Sequence, residues 1–234
     1  MKLLAFETAT EALSVALYLD GQVHERFELA PRRHAELSLP WAQGLLQQAG
    51  IARSQLDAIA VGRGPGAFTG VRLAIALAQG IALGLDRPLV PVSTLEVLAA
   101  GAPADGPDRI LAAIDARMGE VYVGAYQRIG GRLVALDREQ VLAPDAVQLP
   151  AADGRWQGVG TGFAAADGLL AQRLSAGMDA IDASALPRAG VLARLAAAAF
   201  EAGEAVPAER VEPAYLRDNV ALTLVEQQAL RARK

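Results

Sequence analysis

The fold is decided by residues 2–29, which read KLLAFETATEALSVALYLDGQVHERFEL. An apolar run at 2–7 ends in the acid Glu7, and a second apolar run follows at 13–19. The Asp-Gly pair that comes next is a strong signal for a hairpin turn. The stretch therefore predicts a buried strand followed by an antiparallel pair, whose last strand is 22–29.

The same order of elements recurs in the second half of the chain. An apolar run at 109–115 (RILAAID) ends in an acid, 120–128 (EVYVGAYQR) follows, and a Gly-Gly turn precedes 133–141. A β-β-β unit thus occurs twice, each time followed by helical and parallel-strand patterns. The alternative is a coincidence between two unrelated hairpins, which are common in α/β proteins. The pattern alone leaves both interpretations open.

Hydrophobic periodicity predicts the remaining elements. The predicted helices are 36–49, 70–84, one that begins at Ser93 or Thr94, and 191–202, and the predicted strands are 56–62, 88–92 and 155–160. Residues 102–107 are rich in proline and glycine, which predicts a linker. The chain is therefore predicted to divide into an N-terminal lobe, 1–102, and a smaller second lobe, 103–234. The C-terminal helix packs either on the second lobe or back on the first, and the sequence leaves both open.

Composition narrows the functional classes. The 234 residues carry a formal net charge of −4 and contain no cysteine and two histidines. These counts exclude thiol catalysis and cysteine-based metal sites, and two histidines alone cannot complete a typical zinc site. The acidic balance argues against a stand-alone tRNA binder, which needs a basic surface. An early acid excludes a signal peptide, and the apolar run at 71–85 is shorter than a span of roughly 20 residues, so we expect a cytoplasmic protein without a membrane partner.

A glycine-rich loop, 62–70 (GRGPGAFTG), lies between a predicted strand and a predicted helix. Glycine permits close backbone approach and a helix N-terminus offers free N–H groups, so the arrangement suits a phosphate. The spacing fits neither a P-loop nor a dinucleotide fingerprint. The alternative is a tight turn that lets helix and strand pack closely, with Thr69 as the N-cap. Spacing alone leaves both open.

The helix after this loop is apolar nearly all round. Its small residues form two stripes at i+4 spacing, Ala74-Ala78-Ala82 and Ala76-Gly80-Gly84. A surface helix normally keeps a polar face, so we expect this helix to be covered on both sides. One cover is a sheet, and the other is either the preceding predicted helix or another subunit.

Two acids have positions that look arranged. Glu7 and Asp115 stand at corresponding strand ends, where α/β folds commonly open ligand clefts. They are suited to hold Mg²⁺ through water or to orient a nucleotide. Equally, each can cap a turn, which is the commoner role of an acid at a strand end. No nucleophile–histidine–carboxylate set is recognisable, which argues against a peptidase.

Five segments occur in an order that resembles a known family. They are LAFETATEALSVAL at 4–17, AVGRGPGAFTGVRLAIALAQGIALG at 60–84, VSTLE at 92–96, AAIDARMGEVY at 112–122 and PAYLRDNVA at 213–221. Together they resemble the TsaB family of bacterial tRNA threonylcarbamoyladenosine biosynthesis proteins. The resemblance implies the duplicated βββαβα fold of the actin/hexokinase/Hsp70-like (ribonuclease H-like) superfamily, in two lobes. One departure is Glu7, which stands where many relatives carry Asp.

The resemblance also implies a role without catalysis. TsaB proteins are similar to TsaD, which transfers threonylcarbamoyl to adenosine 37 of tRNA and binds a metal through a His-x-x-x-His motif. Thr94 and Leu98 stand at the two histidine positions, and neither side chain can ligate a transition metal, so we expect no metal site. The implied role is a pseudoenzyme scaffold that binds TsaD, supports recruitment of the ATPase TsaE, and forms a homodimer when alone. ATP, Mg²⁺ and tRNA are then engaged by the complex.

The family also implies where the partner binds, through the helices on either side of the glycine loop. The expected contact residues are Leu37, Trp41, Leu45, Ala74, Leu77, Ala78 and Ile81. The alternative hypothesis is a nucleotide-binding, weakly active ATP-dependent enzyme of the same superfamily. Its nucleotide site would comprise Glu7, Thr8, Thr10, Gly64, Gly66 and Asp115.

Overall fold

The computed structural model describes residues 1–150 and 154–217, which form two sheets and five α-helices. The first half contains β1 (Lys2–Glu7), β2 (Ala12–Leu19), β3 (Gln22–Leu29), α1 (His34–Gln48), β4 (Ala58–Gly62), α2 (Phe68–Leu85), β5 (Leu89–Val92) and α3 (Thr94–Ala100). The second half contains β6 (Arg109–Arg117), β7 (Glu120–Ile129), β8 (Arg132–Ala135), β9 (Gln140–Leu142), β10 (Trp156–Val159), α4 (Ala165–Leu174), β11 (Met178–Asp182) and α5 (Ala189–Glu201). Residues 101–108, between the halves, contain no helix or strand.

The two sheets have the same strand order, and this confirms the predicted duplication. The first sheet runs β3-β2-β1-β4-β5 and the second runs β8-β7-β6-β10-β11. In each sheet the first three strands are antiparallel to their neighbours, and the last two add in parallel. The α/β fold class, with two lobes of actin-like architecture, is therefore confirmed.

Both sheets are covered by helices on both faces. α1 and α2 cover one face of the first sheet, and α5 covers the other. In the second sheet α4 covers one face and α3 the other. The chain therefore has five layers. α1 and α2 form the first, the first sheet the second, α5 and α3 the third, the second sheet the fourth, and α4 the fifth. This burial explains why the central strands are apolar without alternation.

Two helices cross from one half of the chain to the other. α3 follows the last strand of the first sheet, but its Leu95 and Leu98 pack on the second sheet. α5 belongs to the second half, but its Leu192 packs on the first sheet. The predicted division into 1–102 and 103–234 stays a prediction, and each half contributes one helix to the other half's sheet.

A buried polar cluster attaches the N-terminus of α5 to the first sheet. The Ser14 hydroxyl accepts a hydrogen bond from the Ala189 N–H at 2.8 Å and donates one to Glu25 at 2.7 Å. Glu25 also accepts from the Gly190 N–H at 3.0 Å and pairs with Arg188 at 2.9 Å. A carboxylate at this position satisfies free N–H groups of the helix and interacts favourably with its dipole.

Several elements differ from the sequence prediction. The predicted strand at 133–141 is divided into β8 and β9, which both pair with β7. The sequence patterns do not predict α4 or β11: left-handed residues at 166–168 interrupt the period of α4, and β11 is a largely exposed edge strand. Thr69 is not the N-cap of α2, because the helix already begins at Phe68. The predicted C-terminal helix lies beyond Arg217, outside the described residues.

Candidate functional site

Glu7, at the end of the central strand β1, is a buried acid. Its side chain is 1% exposed, and its carboxylate accepts hydrogen bonds from the Ala9 N–H at 2.8 Å and the Thr94 hydroxyl at 3.1 Å. Gly62 leaves room for it, since a Cβ at that position would lie 2.0 Å from a Glu7 oxygen. Burial raises the pKa of Glu7 to about 7, although the two hydrogen bonds act in the opposite direction. Glu7 thus connects the β1–β2 turn to α3 and is shielded from solvent.

Thr94 and Leu98, which the resemblance places at two metal-ligand positions, are both buried. The Thr94 hydroxyl donates to Glu7, and Leu98 packs in the cluster that contains Ile110 and Ile114. In the part of the chain that the structure describes, no group of three or more His, Cys, Asp and Glu side chains is placed to hold a metal ion. Both side chains are therefore committed to contacts within the chain.

The glycine loop lies directly against the turn between β1 and β2. The Thr8 hydroxyl donates to the Gly70 carbonyl at 2.7 Å, and the Ala67 N–H donates to the Ala9 carbonyl at 2.7 Å. A Cβ on Gly66 would lie 2.4 Å from the Ala9 carbonyl oxygen, and one on Gly70 would lie 2.0 Å from that of Thr8. The loop uses these glycines for close backbone packing, as in the tight-turn interpretation. A phosphate contact at this loop stays a prediction.

The remaining predicted nucleotide-binding residues also contact their own chain. The Thr10 hydroxyl accepts from a backbone N–H at 3.3 Å, and Gly64 has a φ of +90°. The Asp115 carboxylate accepts from the Arg117 N–H at 2.8 Å and pairs with the Arg117 guanidinium at 2.8 Å. Glu7 and Asp115 lie on the corresponding strands β1 and β6, but within the described residues they share no hydrogen-bond partner. The nucleotide site as a whole stays a prediction.

Three of the predicted partner-contact residues do not lie on the surface of this chain. Leu45, Ala74 and Ala78 are buried inside the chain, each at most 3% exposed. A side chain that is buried against its own sheet cannot contact another subunit. The other predicted contact residues are partly exposed, namely Leu37, Trp41, Leu77 and Ile81. The partner contact as a whole stays a prediction.

Most of the exposed residues of α2 are apolar, and Thr69 is the exposed polar one. We define the α2 outer face as the exposed or partly exposed residues Phe68, Leu73, Ala76, Leu77, Gly80, Leu83 and Gly84. Phe68 and Leu83 are 66% and 64% exposed, and a Cβ on Gly80 or Gly84 would meet nothing within 4 Å. The Ala74-Ala78-Ala82 stripe faces the sheet, so the second small-residue stripe, Ala76-Gly80-Gly84, was the sequence signal for this face.

The segment 211–217 crosses from α2 to the second sheet, and the sequence patterns do not predict this bridge. The Tyr215 hydroxyl accepts a hydrogen bond from Arg72, whose guanidinium also lies 3.3 Å from the centre of the Phe68 ring. Arg217 then donates to a backbone carbonyl near the end of β6 at 3.2 Å. Phe68, at the N-terminal end of the α2 outer face, is therefore held by a residue that also binds the bridge.

By length and composition, α2 is the one helix among the described residues that is apolar enough to cross a membrane. Core helices of soluble proteins often have the same length and composition. Here the Ala74-Ala78-Ala82 stripe is fully buried on the first sheet. The contacts of α2 are thus those of a helix that covers a sheet.

Comparison with known proteins gives three consistent results. Residues 21–224 match the family described as TsaD, tRNA N6-adenosine threonylcarbamoyltransferase. The tRNA threonylcarbamoyladenosine biosynthesis protein TsaB of Escherichia coli (strain K12) is 45% identical over 226 residues, covering 94% of this chain and 96% of that protein. The protein of the same name from Haemophilus influenzae is 37% identical over 233 residues, covering 94% and 95%. A crystal structure from Pseudomonas aeruginosa, of an uncharacterized protein with similarity to peptidase YeaZ, superposes with a TM-score of 0.83 at 46% identity, covering 92% and 99% of the two chains.

Proposed function

This chain belongs to the TsaB proteins of tRNA threonylcarbamoyladenosine biosynthesis, and on that premise we propose that it is a non-catalytic scaffold of the modification machinery. The family recognised from the sequence motifs is confirmed. In this proposal the chain binds the threonylcarbamoyltransferase TsaD, supports recruitment of TsaE, and forms a homodimer when alone, in the cytoplasm. ATP, Mg²⁺ and tRNA are engaged by the assembled complex.

The α2 outer face is the observation that carries this proposal. It joins the strongly exposed Phe68 and Leu83 to a strip of glycine and alanine, and α2 carries a single charged residue, Arg72, which lies over the Phe68 ring. Contiguous exposed apolar patches mark sites of protein association, because burying them on binding is favourable. The glycines let the backbone of a partner helix approach closely. This surface therefore suits a helix-against-helix contact with a related subunit.

The interior of the chain supports a role without chemistry. Glu7 and Thr94 bind each other, and Leu98 is part of the hydrophobic core. The glycine loop is packed against the Thr8–Ala9 backbone at distances that leave no room for even a methyl group. Groups that a ligand would need are thus engaged in folding contacts.

The docking proposal is tested by Leu83→Glu. The change keeps a good helix former at an exposed position, so it should leave thermal unfolding nearly unchanged. It places a charge in the contact, and we expect the Kd for purified TsaD to rise at least about tenfold, or about 1.4 kcal/mol. Leu169→Glu is the matched control, because Leu169 lies on α4 and is 40% exposed. Unchanged TsaD binding by Leu83→Glu would show that this face is not the contact.

A charge at Ala78 does not test docking, because Ala78 is fully buried and the charge would disrupt the core.

The non-catalytic part of the proposal has its own test. Threonylcarbamoyl transfer to tRNA is measured with TsaD alone, with this chain alone, and with both, the other components being held constant. We expect transfer only where TsaD is present, and stimulation by this chain. Transfer by this chain without TsaD would overturn the scaffold role.

A further inference from the structure

A cavity of about 280 Å³ lies where the first and second halves of the chain meet, away from the α2 outer face. The first half contributes Arg63, Ser93 and Glu96 to its walls, and the second half contributes Tyr126 and Glu139. Neither the family resemblance nor the docking proposal assigns a role to these side chains. The cavity therefore requires its own explanation.

The two acids of this cavity lack a cationic partner within ion-pair distance in the described part of the chain. The hydroxyls of Ser93 and Tyr126 both donate to the same oxygen of Glu139, the latter at 2.7 Å. The Glu96 carboxylate makes no hydrogen bond with the described residues. Burial is the main cause that raises its pKa, and the negative charges of Glu139 and Glu204 raise it further. Two partly buried carboxylates thus repel each other across a small space.

Arg63 brings the opposite charge to the same cavity. Its backbone is fixed on both sides, since its N–H donates to the Val92 carbonyl at 2.9 Å and its carbonyl accepts from the Ala214 N–H at 2.8 Å. Its guanidinium forms no hydrogen bond or ion pair with any described residue, although its charge lowers the pKa of Glu96. A guanidinium offers five N–H donors in a planar fork that matches a carboxylate.

We propose that this cavity binds a small zwitterion, whose protonated amine lies between Glu96 and Glu139 and whose carboxylate contacts Arg63. The amine would relieve the repulsion between the two acids, and the carboxylate would supply the partner that Arg63 lacks. A phosphate is disfavoured, because its double negative charge would lie beside two carboxylates. The volume is at the lower end of ligand pockets, which restricts the ligand to a small molecule.

The probe is L-alanine, titrated into the full-length chain by isothermal calorimetry. We expect saturable binding of L-alanine, and at least tenfold weaker binding of ethylamine and of propionate, because each retains only one of the two charged groups. Ethylamine binding as tightly as L-alanine would reveal a site for cations alone and overturn the proposal. Absence of saturation by L-alanine up to about 20 mM would overturn it as well.

Two substitutions on opposite walls locate the site. Arg63→Gln and Glu96→Gln should each weaken L-alanine binding at least tenfold, and Arg53→Gln, on an exposed turn outside the cavity, should leave it unchanged. Thermal unfolding of each variant verifies that it is folded. Wild-type affinity in both wall variants would refute the assignment. The outcome is independent of TsaD binding, because the α2 outer face does not line this cavity.

Discussion

Replacing Glu7 by glutamine should remove a defined part of the pH dependence of stability. Glu7 is buried, and its carboxyl accepts hydrogen bonds from the Ala9 N–H and the Thr94 hydroxyl. Glutamine has nearly the same shape, can accept from Ala9, and can donate its amide to the Thr94 oxygen. Because it carries no charge at any pH, the variant isolates the titration of this one carboxyl.

The expected magnitude follows from the pKa of Glu7, which burial raises to about 7 from an ordinary value of 4.5. Between pH 4.5 and 7 the folded chain holds this proton and the unfolded chain has released it. Raising the pH through this window therefore lowers the free energy of unfolding. The contribution is fully present below pH 4.5 and is lost above about pH 7, and the difference in pKa corresponds to about 3 kcal/mol.

The assay is urea unfolding of the wild type and Glu7→Gln from pH 5 to pH 8. The wild type should lose about 2 to 3 kcal/mol relative to the variant across this range, so that the two curves diverge as the pH rises. Glu201→Gln, at the exposed end of α5, is the control and should run parallel to the wild type. Curves that do not diverge for Glu7→Gln would refute the raised pKa that follows from the burial of Glu7.

Two further substitutions test other contacts. Ser14→Ala leaves the buried Ala189 N–H without its partner, so it should lower the free energy of unfolding, measured by urea titration, by about 2 to 3 kcal/mol. The control is Ser38→Ala. The Ser38 hydroxyl donates to a carbonyl of its own helix, so its loss should lower the free energy of unfolding by less than about 1 kcal/mol. Gly70→Ala places a methyl group 2.0 Å from a backbone oxygen and should lower the thermal midpoint sharply. The control is Gly80→Ala in the same helix, where a Cβ would meet nothing within 4 Å. This change should raise the free energy of unfolding by about 0.5 to 1 kcal/mol. Equal effects within either pair would contradict the corresponding contact.

Local patterns were sufficient to predict most strands of the two sheets but not the edge strand β11, because strands and hairpins are encoded in short stretches. The apolar runs, the turn residues and the repeat at 2–29 and 109–141 determine both antiparallel units and their order. The division of 133–141 into β8 and β9 was not predicted. Both strands pair with β7, and an apolar run does not show where the pairing with β7 is interrupted. The exchange of α3 and α5 between the sheets was missed because it depends on tertiary packing.

The proposed partner surface shows a different limit of sequence reasoning. α2 is apolar all round, so its hydrophobic pattern does not show which side meets the sheet. Two small-residue stripes run along it, and the expected contact set included Ala74 and Ala78 of the stripe that the structure places against the sheet. What decides between the stripes is the fit of alanine against the strands, and this is seen only in three dimensions.

The two sides of α2 connect the glycine loop to the proposed docking surface. At its N-terminus the glycine loop is packed against the β1–β2 turn so closely that Gly66 and Gly70 cannot carry a side chain. This packing fixes the helix on its sheet through the Ala74-Ala78-Ala82 stripe, and only a fixed helix presents a constant outer surface. The glycine motif that suggests phosphate binding in the sequence is thus, in the structure, what holds the α2 outer face in place. Residues 62–67 of the loop are not part of the α2 outer face. A substitution among them should still weaken partner binding, because it would shift the helix that carries this face.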